Sequence, residues 1–219
     1  MPDLKSGFFS SLSVILISEL ADKTFFIAAI LSGQHNKYLV FFGAFLALAI
    51  MTLLSVISGK VLHSVLPVEL SELISNILFI VFGAISLKSG LEMEDHDDLE
   101  YRETSKELKE ESRKRKKENE KNKTFQLLLQ VFTMTLMAEW GDRSQIATIQ
   151  LGATKNGLGV CLGGLVGHFI CTGIACYGGN LIAKRINARS ITIFGGMVFF
   201  MFGFYGFTDM YFADRFQLL

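Results

Sequence analysis

Six stretches of this 219-residue chain, 21 to 29 residues long, carry no more than three charged side chains each: residues 7–33, 38–61, 70–90, 125–153, 158–183 and 190–212. A helix needs about 20 apolar residues to cross a bilayer core of ~30 Å. In lipid every backbone polar group must be bonded within its own structure, which leaves helices or closed barrels. Stretches this long, with no period-two alternation, predict helices. The expected fold is therefore an all-α integral membrane protein of six transmembrane helices. The first stretch begins near the N-terminus but contains Glu19, Asp22 and Lys23 and runs on into a second, so it reads as a retained helix rather than a cleaved signal peptide.

Charge is concentrated between the third and fourth stretches. Residues 92–123 hold 12 acidic and 10 basic side chains of the chain's 42 charges. With a net charge of zero there is no electrostatic footprint for nucleic acid. Cys161, Cys171 and Cys176 lie in one apolar stretch and form no disulfide framework; they read as small packing residues. Six crossings put both termini on one side with Lys5, Lys60, Lys155 and Arg215. The other side has Lys37, Lys88, Lys184, Arg185, Arg189 and the ten basic residues of the central segment. The positive-inside rule then places the central segment in the cytosol and the termini in the lumen. On this topology the Asn122-Lys123-Thr124 sequon faces the cytosol and stays unmodified.

Shifting the chain by 120 residues aligns its two halves without a gap. Glu19 falls on Glu139, Asp22 on Asp142, Lys23 on Arg143, Thr24 on Ser144, Asn36 on Asn156, Gly43 on Gly163, Thr52 on Thr172 and Phe79 on Phe199. Three spans per half force opposite orientations, an inverted repeat of the kind that builds secondary transporters. The expected organisation is a first three-helix repeat at 1–91, a charged cytosolic linker at 92–123 and a second repeat at 124–219.

Six charges sit deep within spans one and four: Glu19, Asp22, Lys23, Glu139, Asp142 and Arg143. Each costs about 2.5–3.5 kcal/mol at the centre of a membrane helix. In a continuous helix, Glu and Asp three apart share a face, and Glu can pair with a Lys or Arg four residues on. A self-neutralising structural patch is the plain reading, but four carboxylates against two cations leave an excess of two negative charges. Protons or a divalent cation would neutralise it, and exchange of one for the other is cation/proton antiport. Hydroxyl and amide oxygens on Thr24, Ser144 and Gln145 suit a hard ion such as Ca²⁺, Mn²⁺ or Mg²⁺. Enzymatic function is not expected: there is no H-E-x-x-H, nucleophile elbow or phosphate loop.

The segments Ser18-Glu19-Leu20-Ala21-Asp22-Lys23-Thr24 and Ala138-Glu139-Trp140-Gly141-Asp142-Arg143-Ser144-Gln145 resemble the paired E-x-G-D-[KR]-[ST] signatures of the transmembrane protein 165 family, also called uncharacterised protein family 0016. The resemblance spans nearly the whole chain. It implies a Golgi-type Ca²⁺/Mn²⁺:proton antiporter that loads the lumen with cation and supports glycosylation, with no cofactor. By that resemblance Glu19, Asp22, Glu139 and Asp142 bind cation and proton. Lys23 and Arg143 are expected to position the carboxylates and balance their charge. The partners are then divalent cations and membrane lipid, not nucleic acid, and a homo-oligomer is allowed. Ala21 stands where the family pattern has Gly, which predicts a more regular first helix.

Weaker signals remain. His168, opposite Leu48 in the repeat, reads first as a buried neutral imidazole and second as a proton relay or ligand. Gly159, Gly163 and Gly167 predict close approach of another helix. Asn36 and Asn156 read as helix caps. The central segment reads as a flexible linker, part of it a solvated helix held by Glu110–Lys114 and Glu111–Arg115 pairs, with a basic block that can touch anionic lipid.

Overall fold

A computed structural model describes residues 3–20, 22–92, 104–108, 123–183 and 188–216. Eight helices account for most of them: α1 (Leu4–Glu19), α2 (Lys23–Gln34), α3 (Lys37–Val65), α4 (Val68–Glu92), α5 (Lys123–Glu139), α6 (Arg143–Thr154), α7 (Gly157–Ala183) and α8 (Ala188–Phe216). A short helical turn at 104–108 stands between α4 and α5. The all-α expectation holds, with no strand among the described residues.

The expected spans at 7–33 and 125–153 are not continuous. Both break within the charged motif, leaving pieces of 16 and 12 residues in the first half and 17 and 12 in the second. Even the 17-residue piece is only ~26 Å long, short of the ~30 Å core, so each half needs both of its pieces to cross. Among the described residues, four unbroken helices are long and apolar enough to do so, α3, α4, α7 and α8. Ala21 lies outside the described residues, but the regular first helix it suggested is absent, since α1 stops at Glu19 and α2 starts at Lys23.

Local chemistry explains both breaks. Asp22 (φ −85°, ψ 168°) and Asp142 (φ −72°, ψ 166°) are extended and stand in the N-cap position of the helices that follow. Asp142 accepts a hydrogen bond from Ser144 N at 3.2 Å. Asp is among the best N-cap residues because its carboxylate serves amides the helix leaves unpaired. Backbone bonds from Asp22 N to Glu19 O and from Asp142 N to Glu139 O, 3.3 and 3.1 Å, give the two breaks one shape. In the second half Gly141 adopts φ +81°, a conformation that disfavours any residue with a Cβ. The two asparagines cap as expected: Asn36 accepts from Tyr38 N, and Asn156 from Gly159 N, each at 3.0 Å.

Packing follows the repeat. Gly159 and Gly163 of α7 lie against the backbone of Leu4 and Phe8. A Cβ at either would collide there, so α1 and α7 approach as closely as their backbones allow. Gly167 meets Ile15 further along, so these two helices run parallel. In the corresponding contact of the other half, α3 runs parallel to α5 and α6, with Gly43 beside Val131 and Gly59 against Ile149. Helices α4 and α8 are antiparallel: Asn76 meets Met210, Phe79 meets Phe202, and Gly90 meets Ile193. Apolar side chains such as Phe42 (60% exposed) and Phe204 (70%) cover the outside. That is the surface expected against lipid, where association rests on close packing rather than exclusion of water.

Only residues 104–108 within the linker's interior are described. Leu108 is buried in a cluster with residues of α2, α3, α5 and α7, so this piece of the linker is anchored rather than wholly solvated. The Glu110–Lys114 and Glu111–Arg115 pairs lie outside the described residues, as does the Asn122 sequon apart from the start of α5.

Candidate cation-binding site

The two broken motifs meet inside the bundle. Glu19 ends α1 and Glu139 ends α5, and each is 2% exposed. Thr24, at the start of α2, donates its hydroxyl to Glu19 Oε2 at 3.2 Å. Ser144, its counterpart in α6, donates to Glu139 Oε2 at 3.1 Å. Each hydroxyl also faces the other half's glutamate, and the carboxylates of the two halves lie close enough for their charges to interact. One glutamate and one following hydroxyl thus occur twice around a shared centre, each with an aspartate in the N-cap position, of which Asp142 caps through its side chain and Asp22 does not. Broken helices in transporters place this kind of backbone discontinuity where an ion binds.

Half of each carboxylate is unsatisfied. Glu19 Oε1 and Glu139 Oε1 are buried without a hydrogen-bond partner, as is Thr135 Oγ1. Leaving a buried polar atom unpaired costs about 1–3 kcal/mol, more for a charged group. Glu19, Thr24, Thr135 and Thr172 line a crevice of about 10 Å³, space for about one water-sized sphere. Its donors are all oxygens apart from Cys171 at one edge. That set suits a hard divalent ion better than a soft one. No group of three or more His, Cys, Asp or Glu stands at metal-binding spacing among the described residues. A cation held here in this conformation would rest on Glu19 and the hydroxyls of Thr24, Thr135 and Thr172, with Glu139 outside the lining.

The other expected site residues lie further out. Asp22 and Arg143 line a cavity of about 230 Å³ between α1, α4 and α8, which also includes Ser86, Ser89 and Thr192. Asp142 Oδ1 lies 3.9 Å from Arg143 Nε, and Arg143 donates to Ser86 Oγ at 3.0 Å. Gln145 Oε1 accepts from Gly141 N at 2.7 Å, closing the second break. Lys23 does not turn back to Glu19 as a continuous helix would direct it. Its Nζ lies 2.9 Å from Glu107 Oε2 in the linker turn. The break removes the i to i+4 register on which the expected pairing depended.

His168 is 4% exposed, with Nδ1 4.0 Å from Glu19 Oε1 and no hydrogen bond on that nitrogen. It belongs to the site's wall. Thr135, Ser86 and Glu107 were not singled out by sequence. Thr135 lies four residues before Glu139, a spacing that could have marked it, while Ser86 and Glu107 carry no local signal.

A family model described as the divalent cation/proton antiporter GDT1 matches residues 7–94 and again 127–214. The chain belongs to the GDT1 family. The two matched stretches are themselves 120 residues apart, so the same pattern is recognised in each half. A GDT1-like protein 3 from Oryza sativa subsp. indica is 35% identical over 210 residues, covering 92% of this chain and 73% of that protein. A GDT1-like protein from Synechocystis sp. is 36% identical over 203 residues, covering 90% and 94%. The chloroplastic PAM71 homologue of Arabidopsis thaliana is 37% identical over 208 residues, covering 90% and 58%. No solved structure matches. GDT1 membership bears out the resemblance carried by the two motifs. It makes this chain a member of a family described as antiporters of divalent cations and protons.

Proposed function

We propose that this protein exchanges Ca²⁺ or Mn²⁺ for protons by alternating access, with Glu19 and Glu139 as the shared cation- and proton-binding groups. The observation that carries this reading is the pair of buried glutamates at two matching helix breaks, each with one oxygen bonded to a hydroxyl and one oxygen free. A carboxylate in that state can take a proton or contribute an oxygen to a cation. Asp22 and Asp142 stand at the breaks and add acidic charge, Arg143 lies beside Asp142 while Lys23 is paired with Glu107, and the two buried glutamates carry the two negative charges to be neutralised. Two protons or one divalent cation then neutralise the same site.

The pairs α1–α2 and α5–α6 act as broken spans, which restores six crossings. The antiparallel course of α4 and α8, corresponding helices of the two halves, supports an inverted repeat of residues 1–91 and 124–219. The linker at 92–123 is assigned to the cytosol by its basic residues and the termini to the lumen. Golgi loading is the destination implied by resemblance; a chloroplastic relative and one from Synechocystis show that family membership alone does not select that membrane.

Uptake of Mn²⁺ and Ca²⁺ into proteoliposomes, with and without a pH gradient, tests the reading. Gradient-dependent uptake with matching proton release, lost in a correctly inserted Glu19→Gln variant, is the expected result. Uptake indifferent to the gradient would make the protein a channel, and wild-type rates in Glu19→Gln would remove this site.

A further inference from the structure

The cavity that holds Asp22 and Arg143 has a counterpart at the other end of the α4–α8 seam. This second cavity, about 170 Å³, is lined by Glu72, Asn76, Thr154, Lys155 and Tyr205. The first reaches Ser89, close to the end of α4 that enters the linker; the second reaches Glu72, close to that helix's start. Seventeen residues of helix, roughly 25 Å, separate these two positions. Phe79 lines the second cavity and Phe199 the first.

Between the cavities stand four aromatic rings. Phe79 and Phe199 stack with centroids 6.0 Å apart and an interplanar angle of 25°. Phe202 lies 5.8 Å from Phe79, and Phe82 lies 6.3 Å from Phe199. Phe79 is 5% and Phe199 3% exposed. The 120-residue shift relates Phe79 to Phe199 and Phe82 to Phe202, so each half supplies the same two rings. Phe199 shares the first cavity with Asp22 and Arg143, while neither glutamate lines either cavity.

We infer that Phe79, Phe82, Phe199 and Phe202 form an aromatic septum between two half-channels along the α4–α8 seam, and that this septum is the barrier to uncoupled flow of a hydrated cation. An apolar constriction blocks an ion because the ion cannot carry its water through it. A septum built from equivalent residues of both halves presents a similar apolar wall to each cavity. A rearrangement that exchanges the two halves' environments would therefore preserve the wall while changing which cavity opens toward the charged motifs, a place the first cavity holds here through Asp22 and Arg143. The inference rests on the proposed antiport for its transport consequence, and on the cavities alone for its geometry.

Two experiments separate these parts. In the first, Ser89→Cys in the first cavity and Ser75→Cys, whose serine lines the second, are made singly in a chain with Cys161, Cys171 and Cys176 replaced by Ala, and reacted in sealed vesicles with a membrane-impermeant maleimide. Labelling of the two positions from opposite faces is expected. Labelling of both from one face, or of neither, overturns the septum, whatever the protein transports. In the second, the double variant Phe79→Ala/Phe199→Ala is compared with Phe79→Leu/Phe199→Leu in proteoliposomes. The Ala pair should raise Mn²⁺ entry without a pH gradient about tenfold, with the Leu pair between it and wild type. An inserted, folded Ala pair as tight as wild type overturns the barrier role. If wild type shows no proton-coupled exchange while the cysteines label from opposite faces, the antiport reading fails and the septum stands.

Discussion

The half-helices α2 and α6 occupy equivalent places in the two repeats, yet they live in different surroundings. Residues 24–32 of α2 are all buried, packed among α3, α5 and α7 with Leu108 of the linker. Helix α6 carries Thr148, Gln150 and Thr154, and its end borders the second cavity. The basic residues at their starts diverge as well. Lys23 goes out to Glu107, while Arg143 is drawn into the first cavity by Ser86 and Asp142. The glutamates and their hydroxyls nevertheless keep the same geometry. Matching carboxylate–hydroxyl pairs in asymmetric surroundings are what the proposed alternating access would require of a single state, since the halves must differ for one face to be closed.

The comparison breaks most severely at the glutamates. Glu19→Gln and Glu139→Gln should each reduce proton-driven Mn²⁺ uptake by more than about 100-fold, beyond the range for loss of a supporting partner. A variant of either that inserts and transports normally would show that the halves do not share one site. Next come the hydroxyls: Thr24→Val and Ser144→Ala should each weaken apparent Mn²⁺ affinity by about 10-fold to 100-fold. Concentration dependence of initial uptake reads this out, and a large effect in one half alone would end the symmetry argument.

The basic residues should respond unequally. Arg143→Lys loses the guanidinium fork directed at Ser86 and Asp142 and should slow exchange by about tenfold, because Lys cannot reproduce that planar geometry. Lys23→Arg keeps a long cation beside Glu107 and should stay within about twofold of wild type. Equal losses would mean that Lys23 returns to the carboxylates during the cycle. The smallest effect belongs to Glu107→Gln: an exposed ion pair is worth about 0–1 kcal/mol, so thermal stability in detergent should change little. A marked fall there would make the linker turn a structural support of α2.

The long helices were legible because length and hydropathy suffice for them. The stretch expected at 38–61 is α3, Lys37–Val65, and that at 158–183 is α7, Gly157–Ala183. The breaks were not, because apolar residues on both sides let each pair of half-helices read as one span. The signal was present in Asp22 before Lys23-Thr24 and Asp142 before Arg143-Ser144, an N-cap pattern inside an apolar run. A carboxylate in an apolar run reads first as a charge, yet that of Asp142 also caps the helix that follows. Glu19, Glu139, Thr24 and Ser144 were nonetheless selected, since burial of charge and the repeat both point to them. Gln145 was selected for its oxygen, but that oxygen is held by Gly141 N. Glu107 sits in a charged run whose ordinary reading is solvation, and only tertiary packing of Leu108 brings it to Lys23.

The small volume beside Glu19 has a thermodynamic consequence. A crevice of about 10 Å³ accommodates a bare ion but not its hydration sphere. Discrimination at such a place turns on how readily each cation gives up its water as well as on how strongly the carboxylates attract it. Mg²⁺ has the same charge as Ca²⁺ and Mn²⁺ yet sheds its waters reluctantly and demands near-octahedral coordination. Were the Glu19 carboxylate and the hydroxyls of Thr24, Thr135 and Thr172 to hold the proposed cation there, they would compensate that loss poorly, and dehydration itself would sort the ions before any ligand had to distinguish them.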